Sequence, residues 1–435
     1  MSIAIPEPLP MPSAGALARK AVHSGILDNG IRWAVWSDPR DTVVTLQTWV
    51  KVGSAWEVPG ATGMAHMLEH LMFRGTHAVP DGAFDGRMER LGASINAATW
   101  LDYTMYMCTV APGGVEEAMQ LEADRLANLN ITDEVFQTER DVVANERRQV
   151  VESDPESVLH ELFYKLTMEN APYSWPTIGW AEDIAGYSAE GIREFYRSHY
   201  VSGCTAIVLC GNVTPEEAQR LISKHFGGLA ERPALPGPEP TRFSEPWEKS
   251  VPIATTTPRF VTGWPGPSAR AADFPAWCMF YEVLGGGDAS RIPLELEVRR
   301  ELVNDVQVSL AQHRDACAFD IRATLLPDVT PAQVRDVILE TLQRLASEGP
   351  TADELEAAQV RIRTADALAL ASTSSRAEWM GESWIVHDNF IAGFALADQI
   401  VDVTAAEVAE IAQRLLASPR WELIGEPNGA AGENE

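Results

Sequence analysis

The sequence predicts an α+β fold of two homologous domains, each a mainly antiparallel sheet with helices packed on one face. Three observations carry this expectation. A stretch from Gly227 to Pro246 holds Pro233, Pro236, Pro238, Pro240 and Pro246, reads as a semi-rigid linker and divides the 435 residues into two similar lengths. Segments on the two sides of it repeat in the same order. Strand-like alternating runs are interleaved with amphipathic helix-like runs, the pattern of a sheet layered with helices. The expected boundaries are residues 20–226 for a first domain, 227–250 for the linker and 251–430 for a second domain.

The repeat is weak in identity and ordered along the chain. Asp133-Glu134-Val135 matches Asp353-Glu354-Leu355, an offset of 220. Ser188-Ala189-Glu190 matches Thr404-Ala405-Ala406, an offset of 216, and each precedes an amphipathic helix. Each of those helices leads to an apolar run closed by glycine, Ala206 to Gly211 and Trp421 to Gly425.

Composition narrows the class. At 46% hydrophobic the chain can bury sizeable cores, and it has no run of 18 apolar residues, so no membrane-spanning helix is expected. Its formal charge of −28 argues against nucleic-acid and anionic-membrane partners. An acidic cavity would favour basic peptide segments, although acidic surface also simply keeps a protein soluble. Met1 to Lys20 is rich in Pro and Ala and lacks a basic segment followed by an apolar core, so no secretory signal is expected. That absence points to the cytoplasm and leaves the periplasm open. The five cysteines (Cys108, Cys204, Cys210, Cys278, Cys317) are scattered and form no C-x-x-C pair, which fits reduced thiols.

Taken in order, Ile31 to Trp36 reads as a strand after the turn signal Asp28-Asn29-Gly30. Thr42 to Gly53 alternates, with Val44, Leu46, Thr48, Val50 and Val52 on one face. Gly63 to Thr76 then reads as a helix, with Thr62 as its expected N-cap and Gly75 in the left-handed position past its end. This helix is apolar around most of its circumference, so it belongs inside the protein. Its polar residues His66, Glu69, His70 and Arg74 fall on one stripe. Burying two imidazoles and a carboxylate costs several kcal/mol unless something satisfies them. A metal ion does so: two His at i and i+4 put two nitrogens within reach of one zinc, and the Glu beside the second is placed to take a proton from water. The order is H-x-x-E-H, the inverse of the commoner zinc-protease motif.

Tyr103 to Val110 reads as a strand, and Ser94 to Thr99, small and polar, suits an edge with an open backbone. A peptidase uses such an edge to hold an extended substrate, and an ordinary edge strand would read the same way. Glu116 to Asn128 reads as an amphipathic helix, and a second starts near Thr132-Asp133-Glu134 and runs past Glu146. Glu139 and Glu146, seven apart, share a face of it, a spacing that is also common on solvated helices.

His66, Glu69 and His70, followed 76 residues after His70 by Glu146, with Glu139 seven residues earlier, resemble the pitrilysin/insulinase (inverzincin) family of zinc metallopeptidases. Phe73-Arg74-Gly75-Thr76, Ile95-Asn96-Ala97, Asp102-Tyr103-Thr104, Leu121-Glu122-Ala123-Asp124-Arg125 and Leu284-Gly285-Gly286-Gly287 add to the likeness. Length and segments are most similar to the mitochondrial-processing-peptidase-like branch with its short bacterial members. The resemblance implies one Zn2+ per chain held by His66, His70 and Glu146, Glu69 as general base and Glu139 as a supporting carboxylate. It also implies that Asn96 and Ala97 lie on the substrate-binding strand and that peptides or unfolded polypeptides are the substrates.

The second half departs from the family pattern. The metal helix has its counterpart at Ala276 to Tyr281, an offset of 211, where Trp277, Phe280 and Tyr281 replace the two His and the Glu. Glu139 and Glu146 correspond to Gln359 and Asp366. Self-sufficient family members carry an Arg and a Tyr, seven apart, that grip the substrate backbone, and here these positions fall at Glu297 and Asn304. Arg299 and Arg300 lie close by, but no Tyr completes the pair. The expectation is therefore a zinc-bearing half of a heterodimer whose partner, a second chain of the same fold, supplies the clamp. A homodimer or monomer with weak activity and a degenerate clamp, and a non-catalytic scaffold with a structural zinc, are the alternatives. An intact Glu69 speaks against the scaffold, because a structural site needs no base.

Overall fold

The computed structural model describes residues 13–169 and 171–428, so the expectations for residues 1–12 and 429–430 lie outside it. A helix, Ala14–Ala21, opens the described part. The first half builds a six-stranded sheet from β1 (Val22–Ile26), β2 (Arg32–Ser37), β3 (Val44–Val50), β4 (Ser94–Thr99), β5 (Thr104–Val110) and β6 (Thr205–Gly211), in the order β1-β2-β6-β3-β5-β4. All neighbours are antiparallel except β2 and β6. The second half builds a five-stranded sheet from β7 (Trp247–Ile253), β8 (Arg259–Pro265), β9 (Val303–Ser309), β10 (Ala318–Leu325) and β11 (Trp421–Pro427), in the order β7-β11-β8-β10-β9. Here too one pair, β7 and β11, is parallel and the rest are antiparallel. Strand for strand this is the first sheet without β1, which is the repeat the sequence carried. Between Phe226 and Trp247 the chain has neither helix nor strand.

Each half lays its own helices on one face of its sheet. In the first, the metal helix (Met64–Leu71), Val115–Asn128, Ala189–His199 and Pro215–Phe226 close a core around Leu46, Val50, Leu68, Tyr106 and Ile207. In the second, Phe274–Gly285, Pro331–Glu348 and Ala405–Ala417 do the same around Phe280, Phe319, Ile321 and Leu342. The starts carry the caps expected of such sequences: Ser188 accepts from Gly191 N–H, and Thr404 and Glu407 form a reciprocal capping box.

The opposite faces are covered by exchange. Helix Thr373–His387, from the second half, packs across β2, β3 and β6 of the first sheet with Met380, Trp384 and Ile385 buried. Helix Pro155–Thr167, from the first half, packs across β8 and β11 of the second sheet with Leu159 and Phe163 buried. Each such side chain contributes about 1.5–3 kcal/mol on burial. The exchange explains a difference from the alternation read in Thr42 to Gly53. Every residue of β3 is buried, because Thr45, Gln47 and Trp49, on the face the sequence left to solvent, lie under Thr373–His387. The approach is close enough that a Cβ on Gly381 would stand 1.9 Å from Trp49. The second exchange reverses the roles: Gly263 on β8 makes room for Phe163 on the helix.

Candidate metal centre and active site

The metal helix packs on β4 and β5 and against Asp133–Arg147. Its start is not capped by Thr62. The Thr62 hydroxyl instead donates to Asp183 Oδ2 at 2.6 Å, and the buried Glu57 carboxylate accepts from the backbone of Gly63 at 2.6 Å and Ala65 at 2.8 Å. A short turn at Ser54–Trp56 brings Glu57 back over the helix start, a route that no local cap rule registers. Gly75 takes φ 101°, the left-handed conformation expected past the helix end.

The polar stripe of this helix meets the carboxylates of Asp133–Arg147. Thr132 caps that helix by accepting from Val135 N–H, which fixes its rotation. His66 Nε2 lies 3.7 Å from Glu146 Oε1, and His70 Nε2 lies 3.3 Å from Glu146 Oε2. One donor atom from each of His66, His70 and Glu146 lies within 4.8 Å of the others. Zinc bonds of about 2.0–2.2 Å to nitrogen and oxygen in tetrahedral array place ligand atoms at such separations. Glu146 Oε2 and His66 Nδ1 are buried and make no hydrogen bond, so polar atoms converge here without a protein partner to satisfy them. With both imidazoles neutral, as metal binding requires, Glu69, Glu139 and Glu146 against Arg74 leave two negative charges, which a dication cancels. Donor set, spacing and charge all fit zinc.

Glu139 sits one layer out. It is 2% exposed, with Oε2 3.4 Å from His70 Nδ1 and Oε1 2.5 Å from Arg74 Nη2. Burial pushes His66 down to about 4, helped by the charge of His70. Burial also disfavours charge on His70, but the Glu139 and Glu146 carboxylates outweigh it and hold that imidazole up to about 9. Burial raises Glu69 above the usual carboxylate range, the direction that makes it a better proton acceptor, while a hydrogen bond from Thr99 opposes the shift.

β4 pairs only with β5, so its other edge is free of any strand among the described residues. Asn96 is exposed on it and Ala97 half-buried. The structure brings His66, Glu69, His70, Glu139 and Glu146 close together, and Asn96 and Ala97 lie on the adjoining strand β4. The sequence reading missed Thr99 and Glu57. Alternation along β4 was the available signal for Thr99, which shares the face of Ile95 and Ala97 that packs towards the metal helix.

The remaining positions are remote in role. Glu297 is half-buried and its carboxylate accepts from Val306 N–H at 3.0 Å. Asn304 is exposed on the edge strand β9. Arg299 pairs with Glu295 and Arg300 with Glu340. In the metal-free half, Trp277 and Phe280 are buried in the core, and Gln359 donates to Val401 O.

Residues 32–179 match the family model of insulinase (peptidase family M16), and residues 187–361 match that of the peptidase M16 inactive domain. The chain belongs to the pitrilysin/insulinase family. Within the family it is 26% identical over 399 residues to the zinc protease PqqE of Helicobacter pylori, covering 90% of this chain and 89% of that one. It is 24% identical over 429 residues to a probable mitochondrial-processing peptidase subunit beta of Arabidopsis thaliana, covering 96% of this chain and 80% of that one. The crystal structure of a protease from Helicobacter pylori superposes with a TM-score of 0.89 at 25% identity, covering 93% of this chain and 99% of that one. The family models divide the chain as the chemistry does, since the half matched by the inactive domain holds Trp277, Phe280 and Tyr281 where the first half holds His66, Glu69 and His70. No helix is long and apolar enough to cross a membrane among the described residues.

Proposed function

We propose that the chain is a zinc-dependent endopeptidase of peptides and unfolded polypeptides. The observation that carries this reading is the convergence of His66, His70 and Glu146 beside Glu69, next to a free sheet edge. His66, His70 and Glu146 would hold the zinc. When bound, zinc supplies a Lewis acid that polarises the scissile carbonyl and makes water more acidic. Glu69, half-buried and with a raised proton affinity, takes the water proton and returns it to the leaving amine. Glu139 orients His70 through Nδ1 and is itself steadied by Arg74. The β4 edge around Asn96 and Ala97 pairs with an extended substrate through main-chain hydrogen bonds.

We further propose that this is the zinc-bearing half of a heterodimer. Glu297 and Asn304 stand where a backbone-gripping Arg and Tyr are wanted, and Arg299 and Arg300 are engaged in ion pairs. A second chain of the same fold would supply the clamp. The test is zinc content and cleavage of a quenched peptide library by the isolated chain, repeated with partner added. One zinc per chain with little cleavage alone and strong cleavage with partner is the expected result. Rapid, chelator-sensitive cleavage by the isolated chain would remove the need for a partner, and the absence of zinc binding would sink the whole reading.

A further inference from the structure

Glu69 has two carboxylate oxygens, and only one can serve the reacting water. Thr99 addresses the other. It is the last residue of β4, and its hydroxyl donates to Glu69 Oε2 at 2.5 Å. Its backbone lies on the strand proposed to bind substrate, so one residue touches both the base and the substrate edge.

The position of Thr99 is heavily determined. Beyond it the chain turns: Trp100 N–H donates to Tyr103 O, Ser54 N–H donates to Trp100 O, and Ala55 N–H donates to Leu101 O. Gly53 allows this contact, since a Cβ there would stand 2.1 Å from Trp100 O. Asp102, 3% exposed, closes the turn. Its Oδ1 accepts from the Tyr173 hydroxyl at 2.6 Å, and its Oδ2 accepts from Arg314 N–H at 2.9 Å. Arg314 lies between β9 and β10, so the second half helps to fix the turn that carries Thr99. As a β-branched residue Thr99 also has a restricted side-chain rotation, which favours one direction for its hydroxyl.

We propose that Thr99 is a positioning residue for Glu69, holding one carboxylate oxygen so that the other faces the water, in register with a peptide on β4. The inference rests on the peptidase reading above. A neutral hydroxyl suits the task, because it orients the carboxylate without bringing a positive charge that would strip its basicity.

The test compares zinc-loaded wild type, Thr99→Val and Thr99→Ser, each assayed with the partner chain added. Valine keeps the shape and loses the donor, and serine keeps the donor. Thr99→Val should lower kcat by about tenfold, the worth of a hydrogen bond to a charged group. KM and zinc affinity should stay within about twofold of wild type, and Thr99→Ser should recover most of the loss. Wild-type kcat in Thr99→Val, or an equal loss in both variants, overturns the proposal. Crystal structures of the same zinc-loaded proteins decide it independently of turnover. A Glu69 carboxylate that turns in Thr99→Val and not in Thr99→Ser supports it, and one that stays in place refutes it. A wild-type protein that binds zinc and cleaves nothing even with the partner chain added counts against the peptidase reading alone.

Discussion

Replacing Glu139 by Gln should weaken zinc binding by about 10- to 100-fold while leaving the fold intact. The reason is a count of donors. If His70 holds zinc through Nε2, its Nδ1 carries the proton and faces Glu139 Oε2, 3.4 Å away. Arg74 Nη2 forms an ion pair with Oε1 at 2.5 Å. A carboxylate accepts from both. A Gln amide has one acceptor oxygen, so in either orientation its NH2 faces a donor and one contact becomes repulsive. Glu139 is 2% exposed, and no bulk water replaces what is lost. Leaving a buried donor unpaired costs about 1–3 kcal/mol, which at about 1.4 kcal/mol per tenfold brackets the stated range. It is also the usual effect of losing an outer support of a metal ligand. The assay is competition for zinc against a chromophoric chelator, with thermal melting of the same samples to show that the variant is folded. A folded Glu139→Gln protein with wild-type zinc affinity would refute the reasoning, and Glu139 would then be a buried carboxylate that merely lies nearby.

Other outcomes follow from the same structure. Glu69→Gln should retain one zinc per chain and lose about 10²- to 10⁴-fold in turnover, measured by metal analysis and peptide cleavage on one sample. Gly381→Ala should lower stability by about 1–3 kcal/mol, because its Cβ would drive into Trp49, whereas Gly186→Ala, with nothing within 4 Å, should leave the melting temperature nearly unchanged. Asp320 is fully buried, facing the Tyr164 hydroxyl of the exchanged helix and Arg322 of its own strand, and burial raises it from 3.8 to about 6. The folded protein therefore holds a proton there that the unfolded chain releases, so this residue costs stability as pH climbs from about 4 to about 6, by up to about 3 kcal/mol. Denaturant unfolding across that range should show a shallower decline for Asp320→Asn than for wild type, and parallel curves would contradict the assignment.

How much of this was legible in the sequence depends on the range of the interaction. The register of His66, Glu69 and His70 is set within one helix, where the 3.6-residue period fixes which side chains share a face. That the two halves share one fold follows from a repeat that the sequence carries, whereas the order of strands within each sheet was not legible in it. Glu139 and Glu146 were ambiguous on pattern alone, because a solvated helix offers the same spacing, and the family likeness separated the two readings. Thr62 has the right chemistry for a cap and was displaced by Glu57, which arrives from an earlier turn. Trp49 looked solvent-facing because alternation records that a strand has two faces and not what lies against each. Its neighbour, Gly381, is over 300 positions away in the chain. Thr99 was missed for a related reason: alternation along β4 marks its face, but its partner Glu69 is on another element.

The exchange of helices between the halves has a consequence for how the molecule comes into being. When the ribosome has finished β6, the first sheet is complete in strands and still bare on the face that Thr373–His387 will cover, with Trp36, Trp49, Ala206 and Val208 exposed to water. Helix Pro155–Thr167, made early, meanwhile carries an apolar side whose seat on β8 and β11 has yet to be synthesised. Neither half can be finished first, and the last strand to be made, β11, is part of the seat that the early helix requires. Such a molecule ties its own assembly to the near-complete chain, and it has the form of a symmetric pair with swapped arms whose two members have been joined into one polypeptide.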